Sequence, residues 1–209
     1  MPSELRVASL AQYSVRGQSD ESIRSQKVCR SLKKGTPSNL DSLINRLLAL
    51  LDDERYDFLA PYFSEGVTFV PTPGSSPRKG NELWVPLEIC KRLVNAGLGS
   101  TYEPLVLRHT AIPKSSVQTA ENRPSLEHHL RSMQADGGNI FVNRIVLVDD
   151  VVTRGRTLFA AAQTLHETFP AADISAFSAL RTLSHGDIDQ VVLPMEEVIY
   201  CRESDTLRR

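Results

Sequence analysis

The chain has no excess of charge of either sign. Its 209 residues carry 24 Lys and Arg against 25 Asp and Glu, so no global basic field points to nucleic acid as a partner. It has no apolar run approaching the roughly 18 residues that span a bilayer. The opening "MPSELRVASL" lacks the basic segment and apolar core of a secretory signal. These absences lead to the expectation of a cytoplasmic protein with no membrane partner. Cysteine is scarce: Cys29, Cys90 and Cys201 are odd in number, far apart and outside any metal-ligand spacing. Three reduced thiols are the plainer expectation, ahead of a catalytic one. No internal repeat or low-complexity tract is present.

What the chain does have is alternation of strand and helix patterns. "LRVASLAQYS" reads as a strand. "DESIRSQKVCRSLKKG" begins acidic, ends basic and stops at Gly35, the charge order and terminal glycine of a helix. Leu40, Leu43, Ile44, Leu47, Leu48 and Leu51 then recur at helical spacing. "VTFVPTP" is a short strand closed by prolines, "GSSPRKGN" a loop, and "PLEICKRLVNAGLG" a helix with Pro86 in its first turn. "EPLVLRH" (103–109) reads as a further strand. Residues 110–139 are polar and poor in aliphatics; a structureless stretch of that length suggests a mobile lid, with "SLEHHLRSM" as a short helix inside it. "NRIVLVDD" reads as a buried strand, "TLFAAAQTLHETF" as a helix, and "DISAFSALRT" and "EVIYCRE" as strands. This order predicts an α/β fold, a parallel sheet flanked by helices on both faces.

The most informative stretch is "IVLVDDVVTRGRTL", residues 145–158. Four apolar residues lead into two adjacent carboxylates at the expected carboxyl end of a strand, where open α/β sheets bind ligands. Neighbouring carboxylates suit open water, a divalent cation, or the cis hydroxyls of a ribose. Thr153, Arg154, Gly155, Arg156 and Thr157 then enter a helix N-terminus, whose unpaired amides, positive dipole end and glycine suit a phosphate. Acid pair and phosphate loop, one turn apart, match the two ends of a ribose 5-phosphate. The stretch is neither the GxxxxGK[ST] loop nor the GxGxxG dinucleotide fingerprint.

On these residues the chain resembles the type I phosphoribosyltransferases. The stretch is similar to their motif for 5-phosphoribosyl 1-diphosphate (PRPP). The order "VPTP…RKGN…LRHT…Q…NR", with "ALRT" after the next strand, is similar to the ComF-like branch, itself related to the transferase part of amidophosphoribosyltransferase. The resemblance covers about residues 66–183. It implies the phosphoribosyltransferase fold at 66–209, with a mobile segment at 110–139 and an N-terminal hood or helical appendage at 1–65. It implies Asp149 and Asp150 as catalytic residues that orient the ribose and, directly or through water or hydroxyls, hold Mg2+. It implies PRPP binding by Pro71, Thr72, Val151, Val152, Thr153, Arg154, Gly155, Arg156 and Thr157. Arg78 and Lys79 would stabilise departing pyrophosphate, and Lys114, Arg123 or Arg131 would join on lid closure.

The chain also departs from that branch. It has no cysteine zinc ribbon and no glutaminase domain, and residues 1–65 match no known element; Tyr13, Arg16 and Lys34 are within reach of the site on sequence grounds, though surface placement is plainer for each. Hypoxanthine and guanine transferases typically carry aspartate where this chain has Thr153, so those purines are not expected as acceptors. Three functions remain open: transfer to a base or amine, non-catalytic sensing of PRPP or a nucleotide, and a scaffold module. A homodimer or a partner protein is compatible with each.

Overall fold

The computed structural model describes residues 3–113, 124–137, 140–183, 186–202 and 205–208. Its centre is a seven-stranded sheet. The strands, in chain order, are β1 (Glu4–Ser14), β2 (Val67–Pro71), β3 (Thr101–Tyr102), β6 (Arg144–Val152), β7 (Asp173–Leu183), β8 (Val192–Arg202) and β9 (Asp205–Arg208). Their spatial order is β3-β2-β6-β7-β1-β8-β9. The first five positions are mutually parallel, while β8 is antiparallel to β1 and β9 to β8. A separate two-stranded antiparallel sheet joins β4 (Val106–Arg108) to β5 (Met133–Ala135).

The helices cover both faces, as parallel strands buried on two sides require. On one face lie α1 (Asp20–Lys34), α2 (Pro37–Leu51), a 3-10 stretch (Glu54–Tyr62) and α3 (Val85–Asn95). Leu40, Leu47, Leu59, Ile89 and Leu93 pack there against Phe69, Val148 and Phe177. On the other face lie α5 (Arg156–Thr168), α4 (Leu126–Arg131) and the small sheet. The alanine run at 160–162 is wholly buried against Ile145 and Leu147. Absent side-chain bulk lets α5 approach the sheet closely, which sets its N-terminus directly beyond the end of β6. Among the described residues, no helix is long and apolar enough to cross a membrane.

The helix ends obey their local signals. Ser19 caps α1 by accepting from the Ser22 amide at 3.1 Å, and Gly35 closes it in the left-handed conformation at φ 59°. Thr36 and Pro37 open α2, though the Thr36 side chain makes no capping bond. Pro86 sits in the first turn of α3.

Three expectations need correction. The stretch 103–109 contributes only the three residues of β4, outside the main sheet, because Leu105 and Val106 pack into the core beneath α5. Within 110–139 the expected short helix forms as α4, and with β5 it orders about a third of the supposed lid through burial of Leu126, His129 and Met133, while 114–123 and 138–139 lie outside the described residues. Residues 1–65 are no appendage, since β1 runs inside the sheet, its Val7 opposite Ala176 of β7 and Glu197 of β8. A chain starting at residue 66 is therefore expected to lose cooperative folding, because β7 and β8 would each expose an unpaired edge. Thermal unfolding followed by circular dichroism checks this: a sharp transition in the shortened chain would contradict it.

Candidate functional site

β6 is an interior strand, and its carboxyl end is where the acid pair emerges. Asp149 still pairs in register with Ser178, so both carboxylates belong to the strand and not to a solvated turn. The Asp150 amide donates to Asp149 Oδ1 at 2.9 Å. Thr72, directly after β2, is 2% exposed; its hydroxyl donates to the Val148 carbonyl at 3.0 Å and lies beside the Asp149 carboxyl. Burial, and then the neighbouring Asp150 charge, push the Asp149 carboxyl well above the usual carboxylate range.

Asp150 has a partner from another element. Lys33 of α1 donates to Asp150 Oδ2 at 3.1 Å. Burial works against the Lys33 ammonium, but the charge and hydrogen bond of Asp150 outweigh it and leave its pKa raised.

The loop after the acids is shaped by Gly155, which caps α5 at φ 78°. A methyl group added there would stand 2.1 Å from Ile199 Cδ1 of β8. Behind the loop, the Thr206 hydroxyl donates to the Arg154 carbonyl at 2.9 Å. The first amides of α5 have no intrahelical partners by the geometry of a helix end. They border a cavity of about 40 Å³ lined by Asp149, Thr153, Gly155, Thr157 and His129 among others.

A buried arginine ties this loop to the one after β2. Arg108 is 5% exposed. It donates to the Gly74 carbonyl and the Ser132 hydroxyl, and lies 3.4 Å from His129 Nδ1. His129 Nδ1 is in turn 3.5 Å from the Thr157 hydroxyl. Burial, followed by the charges of Arg108 and Arg156, lowers the His129 pKa to about 4, so the ring is neutral near pH 7. Burial lowers Arg108 to about 10, which leaves it charged there.

The structure thus brings together Asp149, Asp150, Val151, Val152, Thr153, Arg154, Gly155, Arg156, Thr157 and Thr72; Pro71 pairs with Val148 at the end of β2. Arg78 and Lys79 lie in the exposed loop between β2 and α3. Arg78 is engaged inside that loop, stacked 4.7 Å from the Trp84 ring centre and donating to the Glu82 carbonyl. Lys114 and Arg123 lie outside the described residues. Arg131 forms an exposed ion pair with Glu127 at 2.6 Å. Tyr13 is half-buried beside Cys29, while Lys34 is exposed. Lys33, Arg108 and His129 escape the sequence reading. Arg108 has a usable signal, a lone cation in the apolar run "PLVLRH"; Lys33 has none.

Among the described residues, no group of three or more His, Cys, Asp or Glu side chains could hold a metal ion. The acid pair offers two carboxylates at most. That suits Mg2+ held jointly with ligand phosphates, and not a cage made of protein alone.

The raised Asp149 pKa has a consequence for stability. A carboxyl raised on folding stabilises fully below its unfolded pKa, and that contribution is lost as pH rises through the folded value. Asp149→Asn removes this loss while Asp150, Lys33 and Thr72 still face the position. The variant should match wild type near pH 4 and be more stable at pH 8 by about 1–2 kcal/mol, roughly 3–6 °C in Tm. Melting curves across that range check it; a variant less stable at pH 8 would contradict the burial argument.

No family model matches the chain, and no curated protein sequence matches it. Among solved structures it is similar to adenine phosphoribosyltransferase from Leishmania tarentolae, at 16% identity over 71% of this chain and 73% of that one, with a TM-score of 0.33.

Proposed function

We propose that the chain binds PRPP with Mg2+ and transfers its phosphoribosyl group to a base or amine, releasing pyrophosphate. The observation that carries this reading is the continuity of the acid pair and the phosphate-type loop on one strand, turn and helix at the carboxyl edge of a parallel sheet.

Each residue then has a role that follows from its position. The amides of residues 153–157 and the hydroxyls of Thr153 and Thr157 hold the 5-phosphate at the positive end of α5. Asp149 and Asp150 accept hydrogen bonds from the ribose hydroxyls and fix the ring. Asp149 and Asp150 would hold Mg2+ when it is bound, and the ion would supply neutralisation of leaving-group charge. The C1–O bond breaks with its electron pair leaving on pyrophosphate, and the acceptor nitrogen bonds to C1 from the opposite face and loses its proton to water or to the departing pyrophosphate. Arg78 and Lys79 meet the pyrophosphate once Arg78 leaves Trp84, as a ligand-induced loop closure. Arg108 and His129 take no part in bond making; they fix the two loops relative to each other. The amidophosphoribosyltransferase-like motif favours a small amine or ammonia over a purine.

A non-catalytic PRPP or nucleotide sensor is the second reading. It is favoured by Thr153, whose hydroxyl cannot accept a proton near neutral pH. Both readings require the same ligand, so two measurements order them. PRPP with Mg2+ at 100-fold above its Kd should stabilise the fold by about 2.7 kcal/mol, and Asp149→Asn with Asp150→Asn should abolish the shift without unfolding the chain. An undiminished shift in the double variant would falsify the ribose assignment. Pyrophosphate release should be negligible with hypoxanthine or guanine and measurable with one member of a panel of other bases and ammonia. Brisk release with guanine would contradict the role given to Thr153, and silence across the panel with tight PRPP binding would favour the sensor.

A further inference from the structure

α1 packs on its face of the sheet through Cys29 and Leu32, running from β1 toward the carboxyl end of β6, and it is fastened at several points along its length. Asp187 accepts from the Ser19 amide at 2.8 Å and the Ser22 hydroxyl at 3.0 Å at its start. In its middle, the Ser25 hydroxyl accepts from the Ser14 amide at 3.1 Å. Cys29 meets Tyr13 one turn later. Beyond its end, Gly35 abuts Leu83 and Val85, at the close of the loop that carries Arg78 and Lys79. Lys33 stands between these last two fastenings, with its ammonium on Asp150.

That placement distinguishes Lys33 from a surface lysine that happens to find a carboxylate. Its helix is held on both sides of it, so the ammonium is returned to Asp150 without the full loss of chain freedom that makes exposed pairs weak. Asp150 itself is only 18% exposed at its side chain, while Lys33 is 54% exposed. The ammonium therefore reaches Asp150 from the α1 side and keeps contact with solvent, while Asp149, its neighbour on β6, lines the cavity at the loop. A second cation is not supplied to the pair by any other ion pair among the described residues.

We propose that Lys33 is a positioning residue of the ribose site, a tethered cation that compensates Asp150 and aims it at the sugar hydroxyls, so that a ribose phosphate lacking the diphosphate binds without a divalent ion. The proposal rests on the ribose 5-phosphate reading above. In that reading Mg2+ accompanies the diphosphate and is not needed to assemble the acid pair. Removing the ammonium leaves Asp150 without its counter-charge, and an added divalent ion then takes its place.

Isothermal titration of ribose 5-phosphate tests this, in EDTA and in Mg2+ at equal ionic strength, on the intact chain. Wild type should bind with the same Kd, within about twofold, in both buffers. Lys33→Met should bind about tenfold more weakly in EDTA, the scale of one charge-assisted hydrogen bond, and recover in Mg2+. Lys33→Arg should behave as wild type. Lys34→Met, which removes the adjacent exposed charge, should leave Kd within about twofold and so exclude a general field effect. Lys33→Met with wild-type affinity in EDTA overturns the proposal, as does a loss that Mg2+ leaves uncorrected or that Lys34→Met reproduces. Wild-type binding that needs Mg2+ also overturns it. Binding undiminished in the Asp149→Asn, Asp150→Asn double variant, or no binding by wild type in either buffer, overturns the ribose reading itself and the role of Lys33 with it.

Discussion

Two carboxylates on consecutive residues of an interior strand repel one another, and water cannot surround both. Much around the carboxyl end of β6 answers that repulsion. Asp149 is met by the Thr72 hydroxyl and the Asp150 amide, and burial shifts it toward its neutral form. Asp150 is met by the Lys33 ammonium. The loops are placed accordingly. Thr72 can reach Asp149 because β2 pairs beside β6 and ends one residue earlier, and Lys33 can reach Asp150 because α1 runs from β1 toward the carboxyl end of β6. Two acidic side chains kept at such a position are a local cost that a ligand with hydroxyls or positive charge would relieve.

The second organising contact is the buried Arg108. A guanidinium out of water needs acceptors in several directions, and it finds them on the β2 loop at Gly74 and on the α4 side at Ser132. His129 completes the link to Thr157, and its neutral ring adds no opposing charge beside the arginine. The result is a rigid brace between two loops that would otherwise move independently. On the other side of the phosphate-type loop, Gly155 and Thr206 bind it to β8 and β9, so the loop is supported from both flanks.

Most of the local architecture was legible in the sequence. The leucine spacing of α2, the Ser19 and Gly35 signals of α1 and the alanine run of α5 are local codes, and each element formed where its code placed it. The acid pair and its loop were legible because they are contiguous. What escaped is non-local. β4 and β5 are too short for a periodic pattern, and their pairing depends on Val106 meeting Ala135 across the intervening chain. Lys33 looks like any basic residue in the last turn of a helix, and its neighbour Lys34 looked the better candidate; only the course of α1 toward β6 separates them. The appendage at 1–65 was misjudged for the same reason, because nothing in "LRVASLAQYS" says that its partners lie at the other end of the chain.

That last feature bears on how the molecule comes into being. Glu4 pairs with Tyr200, and Ser14 with Leu183, so β1 is sealed into the sheet by strands far along the chain from it. Such pairings carry a high contact order and slow the search for the native state. Until β7 and β8 emerge, β1 presents an apolar face and two open edges to the cell, with α1 and α2 already able to form beside it. The place of β1 in the sheet is therefore held open until β7 and β8 are available to close on it.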